Sequence, residues 1–146
     1  EARSNIMWCA TIGLNTITGL SKEQDWEVHM IEHQLGAYTD CAHGAGLAAI
    51  SVPYYKYIAP YGKDKFLRFA KNVWGINTDN MSADDAISAG IEKLKEFIVL
   101  LGLPLTLREL GATEDMLEPI ANSTVLGGGY KQMKPEDILK VLKECF

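Results

Sequence analysis

The stretch from His43 to Ile58 constrains the fold more than any other part of this sequence. It carries Leu47, Ala48, Ala49, Ile50, Val52, Tyr54 and Tyr55, so apolar side chains fall on nearly every side of a helix. Water exposure of such a helix is unfavourable all the way round, so other elements have to wrap it and it should be central. Pro53 lies inside it and predicts a kink or an early end, because proline lacks the N–H that the helical ladder uses and its ring crowds the preceding turn.

The rest of the chain supplies wrapping helices. Residues 2–17 place Ile6, Met7, Ala10, Leu14 and Ile17 at the spacing of one helix face. After a break at Thr18-Gly19-Leu20-Ser21, Asp25 precedes a second helix through Trp26, Met30, Ile31, Leu35 and Ala37, with a turn expected from Gly36 to Cys41. Asp64 to Trp74 is amphipathic through Phe66, Leu67, Phe69, Ala70 and Val73, and Gly75 should end it. Ser82-Ala83-Asp84-Asp85 reads as a capping box for a long helix through Ile87, Ile91, Leu94, Phe97, Ile98 and Leu101, stopped by Gly102 and Pro104. Thr113 should cap a further helix over Met116, Leu117, Ile120 and Ala121. Pro135 at a first turn, followed by Glu136 and Asp137, starts the last. No segment keeps a period of two, so the expectation is one all-α domain of about seven helices over residues 1–146.

Composition narrows the function classes. A net charge of −5 argues against a general binder of nucleic acid or of an anionic membrane. No run of about 20 apolar residues is long enough to span a bilayer. Cys9, Cys41 and Cys145 are odd in number with no close pair, which fits a reducing, cytoplasmic setting. The chain opens directly into a helical pattern at Ile6-Met7-Trp8-Cys9-Ala10, as expected of a fragment whose upstream residues have been removed.

All three histidines, His29, His33 and His43, lie in one short window. His29 and His33 stand at i, i+4 and so share a helix face about one turn apart. His43 follows the expected turn, which allows it to fold back beside them. Neutral imidazole is a common transition-metal ligand, and this spacing can bring several to one ion. The plainer alternative is that they are surface or hydrogen-bonded core histidines. His29-Met30-Ile31-Glu32-His33 also matches H-x-x-E-H, the inverted zinc-peptidase pattern, in which the glutamate activates water. That reading needs a third ligand, for which Glu109, Glu114 or Glu118 could serve; against it stands a solvent-facing Glu32 with no role. Gly127-Gly128-Gly129 follows no strand and opens no helix, so it reads as a flexible loop and not a phosphate cradle. Trp26 and Tyr54, Tyr55, Tyr57 and Tyr61 read as packing.

The histidine window resembles the iron-containing (group III) alcohol dehydrogenases, especially their butanol-dehydrogenase-like branch. The residues that carry the likeness are Asp25-Trp26-Glu27-Val28-His29-Met30-Ile31-Glu32-His33-Gln34-Leu35 and Tyr38-Thr39-Asp40-Cys41-Ala42-His43-Gly44-Ala45-Gly46-Leu47-Ala48. Arg3-Ser4-Asn5-Ile6-Met7-Trp8, Phe69-Ala70-Lys71-Asn72-Val73-Trp74-Gly75 and Leu101-Gly102-Leu103-Pro104-Leu105-Thr106-Leu107 continue it in order, so it covers nearly the whole chain.

The resemblance implies a two-domain enzyme in which an N-terminal α/β domain binds NAD or NADP and a C-terminal helical domain binds the metal. This chain resembles the C-terminal part. The family's metal is held by one aspartate and three histidines, and two of those histidines map onto His29 and His43. His33 matches a histidine that sits by the nicotinamide and substrate without ligating. The aspartate and remaining histidine would precede Glu1. The activity this implies is reversible oxidation of an alcohol to an aldehyde or ketone. A divalent metal (Fe2+ first, Zn2+ next) and NAD(P) are its expected cofactors, with the protein's own nucleotide-binding domain and a homodimer as partners. The chain alone is expected to be inactive. A zinc metallopeptidase and a non-catalytic helical interaction domain are the alternatives.

Overall fold

A computed structural model describes residues 1–127 and 129–146. Among these residues there are seven α-helices and no strand: α1 (Ala2–Leu14), α2 (Glu27–Thr39), α3 (His43–Ile58), α4 (Lys63–Trp74), α5 (Ala83–Leu100), α6 (Glu114–Ser123) and α7 (Pro135–Glu144). Single 3-10 turns lie at Ile17–Gly19, Ala59–Tyr61 and Arg108–Leu110. The all-α expectation holds.

As its composition requires, α3 is the hub. It packs on α2, α5 and α7, while α4 pairs with α5 and α6 with α7. Ile50 of α3 is fully buried, together with Ile31 and Leu35 of α2, Leu117 and Ile120 of α6, and Ile138 of α7. Each such side chain contributes roughly 1.5–3 kcal/mol by leaving water. The expected end at Pro53 does not occur, and the helix continues to Ile58. Proline inside a helix costs about 3 kcal/mol, and contacts with three neighbouring helices outweigh that here. Where α5 meets α4, Gly90 lies so close to Ala70 that a Cβ would sit 2.9 Å from the Ala70 Cα.

The termini follow local chemistry. Ser82 Oγ accepts the Asp85 N–H at 3.1 Å, as a capping box requires. Gly75 and Gly102 close α4 and α5 in the left-handed region, at φ 65° and 68°. Thr113 precedes α6 without a side-chain cap. The turn after α2 is shorter than expected, because the helix runs on to Thr39 and Asp40, at φ 54°, makes the reversal. That tight reversal brings the start of α3 against the end of α2, and so positions the histidines.

The first helix departs from its pattern's promise. It ends at Leu14, and none of its residues is buried. Ile6, Met7, Trp8 and Leu14 are all more than three-fifths exposed.

Candidate metal centre

His29, His33 and His43 meet at the α2–α3 junction. Each offers one nitrogen such that the three lie within 4.8 Å of one another. His29 and His33 project from one face of α2 with ring centres 6.4 Å apart, and His43, the first residue of α3, stands 5.2 and 5.3 Å from them. His29 Nδ1 and His43 Nε2 are 3.2 Å apart. Two nitrogens each about 2.1 Å from one ion, at an angle of about 90–110°, lie about 3.0–3.4 Å apart. The pair therefore fits a shared divalent cation. On geometry alone His33 can join them, so the spacing does not separate its role from theirs.

Electrostatics favour the neutral form of His29. Burial lowers the pKa of His29, and the His43 and His33 charges lower it further against the opposing pull of Glu32. His29 therefore stays neutral at neutral pH with a lone pair to give.

Glu32 is not the solvent-facing residue that the plain reading of H-x-x-E-H expects. It is 2% exposed, and its Oε2 bonds His43 Nδ1. Nor does a carboxylate complete a peptidase site. Among the described residues, Glu109, Glu114 and Glu118 do not join the three histidines. Glu109 instead accepts the Leu105 and Thr106 N–H groups at 3.2 and 3.0 Å.

A second polar cluster orders the start of α2. Asp25 accepts the Glu27 N–H at 3.0 Å and the Tyr54 hydroxyl at 2.8 Å. Glu27 is 1% exposed and accepts the Gly127 N–H at 2.8 Å. Burial raises its pKa, the Gly127 bond lowers it, and Asp25 raises it again. The glycine loop is thus tied to α2 at Gly127, while Gly128 lies outside the described residues. Trp26, expected as core, is only half-buried; its ring leans on His29 at 5.0 Å. Beside these groups opens a cleft of about 650 Å³ lined in part by Trp26, His29, Leu47, Ser51, Tyr55 and Phe69.

The sequence and the all-α fold both have known counterparts. Residues 1–146 match the Fe-containing alcohol dehydrogenase family, C-terminal, and the chain belongs to that family. It is 36% identical over 152 residues to NADH-dependent butanol dehydrogenase A of Clostridium acetobutylicum, covering 100% of this chain and 39% of that protein. It is 33% identical over 111 residues to the NADPH-dependent aldehyde reductase YqhD of Escherichia coli, covering 76% of this chain and 28% of that one. Among solved structures, NADH-dependent butanol dehydrogenase A from Thermotoga maritima superimposes with a TM-score of 0.90 at 30% identity, over 99% of this chain and 39% of that chain. The chain thus spans about two-fifths of the length of the butanol dehydrogenases it matches.

The sequence located the three histidines and the fold-back that joins them. It missed Glu32 as their buried neighbour and the Asp25–Tyr54 contact. The one signal for Glu32 was its position between His29 and His33, three residues past the first, which places it partly toward the following helix.

Proposed function

We propose that residues 1–146 form the helical, metal-binding domain of an alcohol dehydrogenase that interconverts alcohols with aldehydes or ketones using NAD or NADP. The observation that carries this reading is the meeting of His29, His33 and His43 at the α2–α3 junction of a chain from this family. In this reading His29 and His43 hold a divalent cation, Fe2+ first and Zn2+ next, and His33 is the catalytic residue beside substrate and nicotinamide. A cation held there would supply Lewis acidity at the alcohol or carbonyl oxygen, and a nicotinamide bound by the rest of the protein would supply the hydride chemistry.

The chain's own residues do the rest. His29 is held neutral and offers its lone pair; Trp26 leans on its ring and limits its rotation. His33, exposed at the edge of the cluster, is placed to take the alcohol proton and pass it to water. The aromatic and aliphatic wall of the adjoining cleft suits the carbon chain of a small alcohol. The remaining metal ligands and the nucleotide site belong to an N-terminal domain in this reading, and the intact protein is a cytoplasmic homodimer. The 146-residue chain by itself is inactive.

Metal analysis beside steady-state rates on three variants of the full-length protein tests the assignment. His29→Ala and His43→Ala lose metal and activity together. His33→Ala keeps its metal and slows by about 10²–10⁴. A His33→Ala protein as depleted of metal as His29→Ala would overturn the division of roles.

A further inference from the structure

We infer that Glu32 is a positioning residue for the histidine centre: its buried carboxylate accepts the Nδ1 proton of His43 and so turns the Nε2 lone pair toward His29. The inference rests on reading His29 and His43 as metal ligands, and it concerns a residue with no part in that assignment.

Three features converge on Glu32. Its burial is nearly complete, at 2% exposure, and a carboxylate leaves water at large cost unless it is paired. Its Oε2 bonds His43 Nδ1, and Oε1 lies 4.0 Å from the Cys41 thiol. Room for the carboxylate comes from Gly46, one turn into α3. A Cβ there would stand 2.6 Å from Glu32 Cγ and 2.8 Å from Oε1. A helix that otherwise packs apolar side chains thus leaves a gap just where the carboxylate passes to reach its own first residue.

Proton inventory fixes the chemistry. A carboxylate only accepts, so the His43 nitrogen facing it carries the hydrogen, and in the neutral ring Nε2 is then the acceptor. Nε2 is also the atom 3.2 Å from His29 Nδ1. The carboxylate strengthens Nε2 as a donor to a cation, holds the ring against rotation, and sets a negative charge beside the cation's positive one. Bonded to His43 and 2% exposed, Glu32 is turned away from solvent, which counts against the water-activating role of the peptidase pattern.

The test uses full-length protein, freed of metal, with 15N-labelled histidine. In the unaltered protein His43 shows the Nδ1–H tautomer with its proton shifted downfield by the carboxylate. In Glu32→Ala the ring turns toward the Nε2–H form, and Zn2+ affinity, read by calorimetry, falls about 10- to 100-fold. Glu32→Gln preserves volume and a neutral acceptor, so it guards against loss of folding in the alanine variant. In Glu32→Gln the Nδ1–H resonance moves, and affinity falls by about tenfold, the lower end of the range for lost outer partners. An unmoved His43 resonance in the glutamine variant, or wild-type Zn2+ affinity in it while His43→Ala loses the ion, overturns the positioning role. Wild-type Zn2+ affinity in His29→Ala and His43→Ala overturns the ligand assignment instead, so the two failures are distinguishable.

Discussion

The first and third helices look alike as sequence and end in opposite surroundings. Both are rich in apolar residues at helical spacing. In α3, Ile50 and Tyr54 are buried by α2, α5 and α7. In α1, Ile6 is 68% and Met7 70% exposed. A helical apolar pattern therefore reports a face suited to burial and says nothing about what covers it. Area leaves water only when another element covers it, and among the described residues the contacts of α1 with the 3-10 turn at Ile17–Gly19 leave none of its residues buried.

Core substitution gives the largest expected effect. Ile50→Ala removes a fully buried side chain from the hub and should cost about 2–5 kcal/mol in denaturant unfolding of the chain. A cost below about 1 kcal/mol, within the range of surface changes, would undo the view of α3 as the helix everything else is built on.

A middling effect lies at the far end of α3. Asp137 of α7 bonds the Tyr57 hydroxyl and the Lys131 ammonium, joining α3, α7 and the loop before it. Burial pushes the Asp137 carboxyl up, but the Lys131 and Tyr57 bonds prevail and hold it at about 2, below its ordinary 3.8. Because the folded pKa is depressed, the stabilisation is present above the unfolded value and is lost as pH falls from near 4 through about 2. Asp137→Asn should therefore cost about 1–3 kcal/mol at pH 7. Unfolding curves of the two proteins should draw together as the pH is lowered through that window. A gap independent of pH would show that packing, and not charge, secures this end.

The smallest effect belongs to α1. Trp8→Ala should change the stability of the 146-residue chain by no more than about 0.5 kcal/mol, since Trp8 is 66% exposed. A loss of about 3 kcal/mol or more, the scale of a buried tryptophan, would erase the contrast with α3 and show that the helix packs in solution.

Much of the fold was legible in the chain itself. Seven helices were readable from period and punctuation, and Ser82, Gly75 and Gly102 act where a reader would place them. Their signals are local: a cap bonds an amide three residues on, and a left-handed glycine closes its own helix. Pro53 does not end α3 as one reading of it allowed, because its cost is local while the packing that outweighs it comes from three other helices. Thr113 misled in the opposite way, offering a capping side chain that makes no bond.

The site divides along the same line. The i, i+4 spacing of His29 and His33 and the reversal before His43 were enough to bring three imidazoles to one place, because helix geometry and a short turn leave little freedom. Which neighbour each ring meets was settled by tertiary packing alone. Glu32 sits between two exposed or half-exposed histidines in sequence, yet it is buried because α3 crosses α2 on that side and Gly46 leaves room for it. Burial is set by elements distant along the chain, and no local period records their arrival. Local pattern was therefore sufficient to make the helices and gather the histidines, while the packing of α3 on α2 dictates that His43 turns its Nε2 toward His29.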